Sequence, residues 1–274
     1  YARNRLQGRP VGDAGKDPSS PQSLIIEHAD VKRMLLAQKS YVEGALAFNL
    51  FCARLVDEAG ITTDSGERKR LTQLLDILTP IAKSWPAQWC LAANDLAIQV
   101  HGGYGYTRDF KVEQFYRDNR LNAIHEGTHG IQALDLLGRK VLMEDGAAFK
   151  LFAGRVAETV GKASAHEQLV DFADGLERRF LRLAETTRIL WAAGNPRLAL
   201  ANASVYLEAF GHIAIAWVWL EQALVAEGKT GDFYDGKRSA ARYFFHWELP
   251  KVDAQFDLLA SLDRTTLDLQ DAFF

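Results

Sequence analysis

Residues 99–140 read QVHGGYGYTRDFKVEQFYRDNRLNAIHEGTHGIQALDLLGRK, and the rest of the chain is best interpreted outward from this stretch. A double glycine, Gly102-Gly103, breaks one helical pattern, and a second pattern begins near Thr128. Glu126 lies just before that second helix. The apolar residues of the second helix recur at helical spacing: Ile131, Leu134, Leu137 and Val141. The stretch therefore predicts helices joined by turns, with one carboxylate placed at a helix entrance.

Residues 125–129 also match the HExxH signature of zinc metallopeptidases. In that site two histidines of one helix hold zinc, and the glutamate between them acts as general base. The pattern requires continuous helix from His125 to His129. Gly127 is a poor interior helix residue, by about 1 kcal/mol relative to Ala. Thr128 is the better helix start, because its hydroxyl can cap the following turn. A zinc hydrolase remains a remote alternative.

Glu126 has two further interpretations. A helix N-terminus supplies positive potential and N–H groups, so a neighbouring carboxylate could remove a proton from carbon while those groups stabilise an enolate. A structural interpretation is also open, in which Glu126 only stabilises the helix dipole. The local sequence does not separate these two interpretations.

Helical spacing dominates the remainder of the chain, and no segment is a convincing strand. The first long helix begins near Ser23 and ends at Ala59-Gly60, and Asp64 is a plausible cap for a second. Pro80 and Pro86 predict a kink or break within that second helix. This second helix is predicted at residues 67–101, and further helices are predicted at residues 111–119, 128–144, 147–160, 165–193, 197–227, 234–247 and 250–260. The predicted fold class is all-α: an up-and-down helical bundle followed by an additional helical domain.

The chain resembles the C-terminal part of the flavin-dependent acyl-CoA dehydrogenases over about residues 1–142. That family carries the pattern A-x-Q-x-x-GG-x-G-[YF], then an RD pair, then [IY]-x-EGT-x-x-IQ. The N-terminal stretch 5–9, RLQGR, is similar to the element that opens the family's C-terminal helical domain. The matching residues here are Ala97, Gln99, Gly102, Gly103, Gly105, Tyr106, Arg117, Asp118, Ile124, Glu126, Gly127, Thr128, Ile131 and Gln132.

The stretches 78–85 and 130–142 resemble a larger bacterial subgroup that includes the methylmercaptopropionyl-CoA dehydrogenases. The resemblance implies an acyl-CoA dehydrogenase C-terminal-type domain at residues 1–144 and an extra C-terminal helical domain at residues 145–274. Family enzymes also have an N-terminal helical domain and a middle β-domain, which this sequence lacks. We therefore expect this chain to be the C-terminal part of a longer protein.

The resemblance implies α,β-dehydrogenation of an acyl-CoA thioester with FAD as cofactor. Glu126 would be the catalytic base, and Glu126 and Gly127 would contact the substrate. Family enzymes pass electrons to a flavoprotein acceptor and form dimers or tetramers. His125 departs from the tyrosine that many relatives have there, and Arg117-Asp118 is expected to be a structural ion pair. The residues expected to contact FAD, partly that of a neighbouring subunit, are Arg5, Gln7, Gln99, His101, Gly102, Gly103 and Thr128.

Composition limits the alternatives. Hydrophobic residues make up 48% and charged residues 24% of the chain, and the net charge is −3. Nothing in this composition supports nucleic-acid binding, which usually shows a concentrated basic patch. No apolar run is expected to span a membrane. Two cysteines within helical patterns favour a reducing cytoplasm. A non-catalytic helical scaffold derived from the same family is the main alternative to an enzyme.

Overall fold

The computed structural model describes residues 1–13 and 15–274, and helices dominate it. The all-α prediction is confirmed, apart from one antiparallel pair of two-residue strands, β1 (Val11–Gly12) and β2 (Gly15–Lys16). The helices are α1 (Ala29–Ile61), α2 (Ser65–His101), α3 (Val112–Arg120), α4 (His129–Asp135), α5 (Met143–Ala163), α6 (Val170–Ala192), α7 (Pro196–Ala199), α8 (Ala203–Ala226), α9 (Asp232–Tyr243) and α10 (Val252–Ala260).

Helices α1 and α2 pack against each other as a long hairpin, and this hairpin carries most of the first half of the chain. Asp64 caps α2 as predicted, since its carboxylate accepts from the N–H groups of Gly66 (2.8 Å) and Glu67 (3.2 Å). Because α2 runs unbroken through Pro80 and Pro86, the predicted break is wrong, and the alternative of a kink stays a prediction. Pro80 is buried in the core, so packing offsets the backbone hydrogen bond that a proline cannot make.

The helix predicted at 128–144 is shorter and less regular than expected. The α-helical part ends at Asp135, and residues Leu136–Lys140 continue as a π-helix. Lys140 is buried at the end of this segment, and its ammonium lies 2.5 Å from the carboxylate of Asp76 on α2. The wider turn places Leu136, Leu137 and Lys140 against the core together.

The later helices also begin and end differently from the predictions. The helix predicted at 197–227 is interrupted at residues 200–202, so α7 and α8 are separate. The helix predicted at 165–193 begins only at Val170, after a 3₁₀ turn, and the one predicted at 234–247 becomes π-helical at Phe244–Glu248. Apolar spacing alone does not specify where a helix is interrupted, since tertiary context overrides local propensity.

Helix α8 is the central element of the second half and is buried almost all round. By length and composition it is apolar enough to cross a membrane, with a mean hydropathy of 1.4. The expectation from sequence that no apolar run is long enough for this is therefore wrong. In this fold 78% of its apolar window is buried against α1, α2, α4, α5, α6, α9 and α10. Burial on every side accounts for the hydropathy of α8 without a membrane.

The two halves of the chain share one hydrophobic core. Trp85 of α2, Phe152 of α5 and Trp219 of α8 belong to the same buried cluster. The chain passes from the first half to the second through Glu144, Asp145 and Gly146, which have consecutive positive φ angles of 48°, 55° and 76°. This left-handed turn redirects the chain onto the bundle at the point where the sequence analysis places a domain boundary. That boundary stays a prediction.

Candidate functional site

Glu126 lies in the segment between α3 and α4, and its backbone is strained. Its φ of 52° is in the left-handed region, which is unfavourable for a residue with a side chain, and Gly127 follows with φ 93°. The backbone N–H groups of Glu126 and Gly127 donate to no backbone carbonyl among the described residues. The Glu126 side chain is exposed. Strain with unpaired N–H donors is characteristic of functional segments.

The end of this loop is fixed by the start of α4. Thr128 is the N-cap, and its hydroxyl oxygen accepts from the N–H of Ile131 at 3.4 Å. A Cβ added to Gly127 would lie 2.6 Å from Nε2 of Gln132, so a side chain here would also collide with the glutamine. The amide end of Gln132 thus lies over the turn at Gly127.

The start of the loop is held by α2. The ammonium of Lys83 donates to the carbonyl of Asn122 at 2.6 Å. A further bond joins α3 to α2, from Asn119 Nδ2 to Asn94 Oδ1 at 2.8 Å. Lys83 is not recognisable as an anchor from the sequence, because one lysine within a long amphipathic helix has no spacing that marks it.

The helix required by the HExxH interpretation does not form. His125 precedes α4, and Glu126 and Gly127, both with positive φ, separate it from His129. The Nδ1–H of His125 donates to the carbonyl of Leu121 at 2.9 Å. His129 lies on α4, where burial lowers its pKa. The two imidazoles therefore do not share one helical face, and no metal-binding group of three His, Cys, Asp or Glu is found among the described residues.

A second cluster forms where α2 ends. Gly102 has φ 60° and ψ −143°, a conformation that favours glycine, and it begins the 3₁₀ turn Gly102–Tyr106. A Cβ built on Gly102 or Gly103 would meet no atom within 4 Å, so this backbone is open to approach. Gly105 cannot be replaced so easily, since its Cβ would lie 2.5 Å from the carbonyl oxygen of Ile98.

The N-terminal segment packs onto this turn. The guanidinium of Arg5 stacks over the ring of Tyr104, 5.5 Å from its centroid, and Tyr1 stacks on His101 at 4.4 Å. The Nδ1–H of His101 donates to the carbonyl of Ala97 at 2.7 Å. The structure thus brings Arg5 and His101 to one surface with Gly102.

Gln7 and Gln99 have exposed side chains. The N–H of Gln7 donates to the carbonyl of Ser23 (3.0 Å), and its own carbonyl accepts from His28 Nε2 (2.8 Å), which fixes the N-terminal segment beside α1. Gln99 lies on the last turn of α2, and its carbonyl accepts from the N–H of Gly102.

The predicted site residues therefore fall into two separate groups along α2. Lys83 anchors the Glu126 loop near the middle of the helix, whereas Gly102 follows the end of the helix. Nineteen residues of helix separate these positions, which corresponds to about 28 Å. Within one chain, Glu126 and Thr128 are thus distant from Arg5, Gln99 and Gly103.

The expected ion pair between Arg117 and Asp118 is wrong. Adjacent residues of a helix such as α3 point in different directions, and no salt bridge joins these two within the described residues. Asp118 instead accepts from Nε2 of Gln114 at 3.4 Å.

Large apolar side chains surround the Glu126 loop without being buried. Such a group is unusual on a monomer surface and is typical of a contact with another domain or chain. Its members are Phe115 (58% exposed), Leu121 (56%), Ile124 (51%), Ile131 (57%) and Leu134 (48%).

Comparison with known proteins shows to which protein family this helical fold and the EGT motif belong. The family model "Acyl-CoA dehydrogenase, C-terminal domain" matches residues 16–142, and "Acetyl-CoA dehydrogenase C-terminal like" matches residues 152–270. The chain belongs to the acyl-CoA dehydrogenase family. The two matches together cover most of the chain, including the Glu126 loop and the Gly102 turn but not Arg5 and Gln7.

Individual relatives agree with the family match. The chain is 30% identical to the broad-specificity linear acyl-CoA dehydrogenase FadE5 of Mycobacterium tuberculosis, over 100% of this chain and 48% of that protein. It is 33% identical to the 3-methylmercaptopropionyl-CoA dehydrogenase of Ruegeria pomeroyi, over 93% of this chain and 44% of that protein. The chain thus spans about half the length of the curated relatives it matches.

A solved structure supports the fold. Caenorhabditis elegans ACDH-11, crystallised in complex with C11-CoA, superimposes with a TM-score of 0.67 over 89% of this chain and 42% of that chain. The sequence identity is 20%, so this likeness concerns the fold alone.

Proposed function

We propose that this chain is the C-terminal part of an FAD-dependent acyl-CoA dehydrogenase, which converts an acyl-CoA thioester to its trans-2-enoyl-CoA. One observation carries the proposal: the family's EGT motif forms a strained turn at Glu126, with the N–H groups of Glu126 and Gly127 unpaired in the backbone. The family membership and the match to both C-terminal domains support it.

Glu126 is the catalytic base in this proposal. The α-carbon of a thioester is a weak acid, so its C–H bond breaks readily only if the enolate-like charge on the carbonyl oxygen is stabilised. The N–H groups of Glu126 and Gly127 are the donors that this chain offers to that oxygen. The α-proton passes to the Glu126 carboxylate. Covering the loop with a dry surface would strengthen the carboxylate as a base, and the exposed apolar residues around it fit such a cover.

The residues of this chain fit FAD at two places. Thr128, next to the catalytic turn, is an exposed N-cap that could contact the flavin portion. The open backbone at Gly102 and Gly103 leaves room for a pyrophosphate, and the nearby Arg5 guanidinium offers it a positive charge. Gln7, Gln99 and His101 border the same surface. When bound, FAD would supply the acceptor for the hydride that leaves the β-carbon.

The separation of the two groups along α2 supports an oligomer. The two groups of one chain are about 28 Å apart along α2. We therefore propose that the flavin portion and the ADP portion of one FAD contact different subunits. We propose a homodimer or a dimer of dimers, in which the group around Gly102 serves the flavin of a partner. The proposal further includes an electron-accepting flavoprotein and a cytoplasmic location. One relative, caffeyl-CoA reductase of Acetobacterium woodii, is named as a subunit of an Etf complex.

The test is Glu126→Gln in the full-length protein, assayed by enoyl-CoA formation with an artificial electron acceptor. Loss of the base predicts a fall in kcat of about 10²–10⁴-fold, with flavin content and melting temperature unchanged. Glu177→Gln, an exposed acid-to-amide change on α6, is the matched control and leaves kcat unchanged. Full activity of Glu126→Gln, or loss of flavin from it, would contradict the assigned role.

The isolated chain provides a second test. The middle β-domain of the family contributes much of the flavin and acyl-CoA pocket, so we predict that this chain alone binds flavin poorly and is inactive. An absorbance spectrum of the purified chain measures this directly. A yellow protein with stoichiometric flavin would show that the chain holds the cofactor without help.

A further inference from the structure

A cavity of about 600 Å³ lies between α1, α5, α8 and α9, and it shares no residue with the Glu126 loop or the Gly102 turn. Its size is within the range of small-molecule sites, about 300–1,000 Å³. The inner wall is apolar and largely buried, with Trp217 3% and Val218 5% exposed. Phe51 packs edge-on to Trp217 at 4.9 Å between ring centroids.

Most polar groups at the bottom of this cavity pair with one another, and Nε2 of Gln222 is buried without a partner among the described residues. The indole N–H of Trp217 donates to the hydroxyl oxygen of Thr159 at 2.7 Å, and that hydroxyl in turn donates to Glu221. Lys237 lies between Glu43 (2.8 Å) and Gln222 Oε1 (3.0 Å). These pairs leave the apolar wall as the feature that an incoming molecule would contact.

The rim differs from the bottom, because it carries guanidinium groups that are weakly paired. Arg54 on α1 has one carboxylate contact, to Glu58 at 3.3 Å, and Arg155 on α5 has one, to Glu158 at 3.9 Å, within the described part of the chain. Their side chains are 57% and 40% exposed. A guanidinium fork binds a carboxylate through two parallel hydrogen bonds, so both groups have donors to spare.

Basic side chains outnumber acidic ones among the residues that line the cavity, although Glu43 and Glu58, just outside the lining, pair with Lys237 and Arg54. Two acids face it, Glu158 and Glu221, against four bases. Exposed apolar side chains stand at the mouth, with Val225 62% and Phe233 67% exposed. The bases are Arg54, Arg155, Lys162 and Lys237.

We propose that this cavity is a binding site for a linear fatty-acid carboxylate. The carboxylate lies at the rim between Arg54 and Arg155, and the alkyl chain covers Phe51, Trp217 and Val218. Apolar burial provides the affinity, and the guanidinium groups select an anionic head over a neutral or cationic one. This site lies outside the proposed catalytic surface and does not depend on the proposed function.

Isothermal titration of the 274-residue chain with dodecanoate, below its micellar concentration, tests the proposal. The expected result is saturable binding at one site per chain. Ala47→Phe fills the cavity from α1 and is expected to weaken binding by about tenfold or more. Ala53→Phe, on the same helix but outside the cavity, is the matched control and changes the affinity by less than about twofold.

The head-group selectivity has its own test. Arg155→Met keeps the side-chain length and is expected to weaken dodecanoate binding by about tenfold. Because Arg155 is partly exposed, this variant tests the site even if Ala47→Phe fails to fold. Dodecyltrimethylammonium has the same alkyl chain and a cationic head, and it is expected to bind more weakly than dodecanoate by about tenfold or more. Equal binding of the two amphiphiles, unchanged affinity in Arg155→Met, or absence of saturable dodecanoate binding would overturn the proposal.

Discussion

The segment from Gly102 to Thr128 and helix α8 are opposite in almost every physical respect. The segment carries the family motifs, is mostly exposed and includes the positive φ angles of Gly102, Glu126 and Gly127. Helix α8 carries no motif, yet it is buried on every side. The proposed function thus rests on a surface that contributes little packing, whereas we expect stability to depend mainly on a helix with no proposed chemistry.

The largest expected effect lies in α8. Trp219 is fully buried, and its indole N–H donates to the carbonyl of Ser40 on α1 at 3.0 Å. Trp219→Ala removes this bond and leaves a cavity, so we expect a loss of about 3–5 kcal/mol in the free energy of unfolding. Urea denaturation followed by circular dichroism measures it. Trp247→Ala, at a site 56% exposed, is expected to cost about 1 kcal/mol or less. Equal costs would remove the contrast between core and surface.

A smaller effect is expected where α8 approaches α2. A Cβ on Gly211 would lie 2.4 Å from Cδ1 of Trp85, so Gly211→Ala forces the buried tryptophan to move. We expect a loss of about 1–3 kcal/mol, despite the better helix propensity of alanine. Gly154→Ala on α5 meets no atom within 4 Å and is expected to stabilise the protein by up to about 1 kcal/mol. Thermal melts of the two variants should shift in opposite directions.

Part of the pH dependence of stability should also originate in α8, beside a contribution of the same sign from His129 on α4. Burial lowers the pKa of His212, which is packed among Trp85, Trp89 and Phe244 and has Glu208, Glu248 and Lys251 nearby. Since the unfolded chain then binds a proton more tightly, stability is lost as pH falls through the unfolded value of 6.5.

This loss cannot exceed about 1.4 kcal/mol per pH unit for one proton. Urea midpoints measured between pH 8 and about pH 5 should decline less steeply in His212→Phe than in the wild-type chain. An unchanged slope in that variant would mean that other groups cause the acid sensitivity.

The smallest effect is expected at the functional segment. Glu126 is held at φ 52°, so Glu126→Gly relieves backbone strain and should raise the free energy of unfolding by up to about 1 kcal/mol. Glu177→Gly, in the interior of α6, should lower it by about 1 kcal/mol. Chemical denaturation of the isolated chain compares them. A destabilised Glu126→Gly would show that the side chain contributes to the fold and not only to function.

Local rules explain which features could be predicted from the sequence. The cap at Asp64, the helix start after Thr128 and the non-helical lead-in at Glu126 each depend on a few neighbouring residues, and each is present in the structure. The unbroken helix at Pro80 was not predictable in this way, because only packing in the assembled core offsets the missing hydrogen bond. The π-helix ending at Lys140 likewise depends on Asp76, 64 residues away.

The same division applies to the candidate site. Motif order identified Glu126, Gly127, Thr128 and the glycines at the end of α2, because glycine, a capping hydroxyl and an acid leave marks in short sequence patterns. Their separation into two groups along α2, the anchoring of the loop by Lys83 and the exposed apolar surface around it arise from contacts between segments distant in sequence.

By itself, the sequence determined that the chain is helical, where its principal turns fall and which carboxylate to examine, since backbone preferences and apolar spacing act over a few residues. The tertiary structure decided that α8 is a core helix, that one core joins both halves and that a cavity opens between α1, α5, α8 and α9. Burial is a property of neighbours brought together from the whole chain, and no local pattern specifies those neighbours.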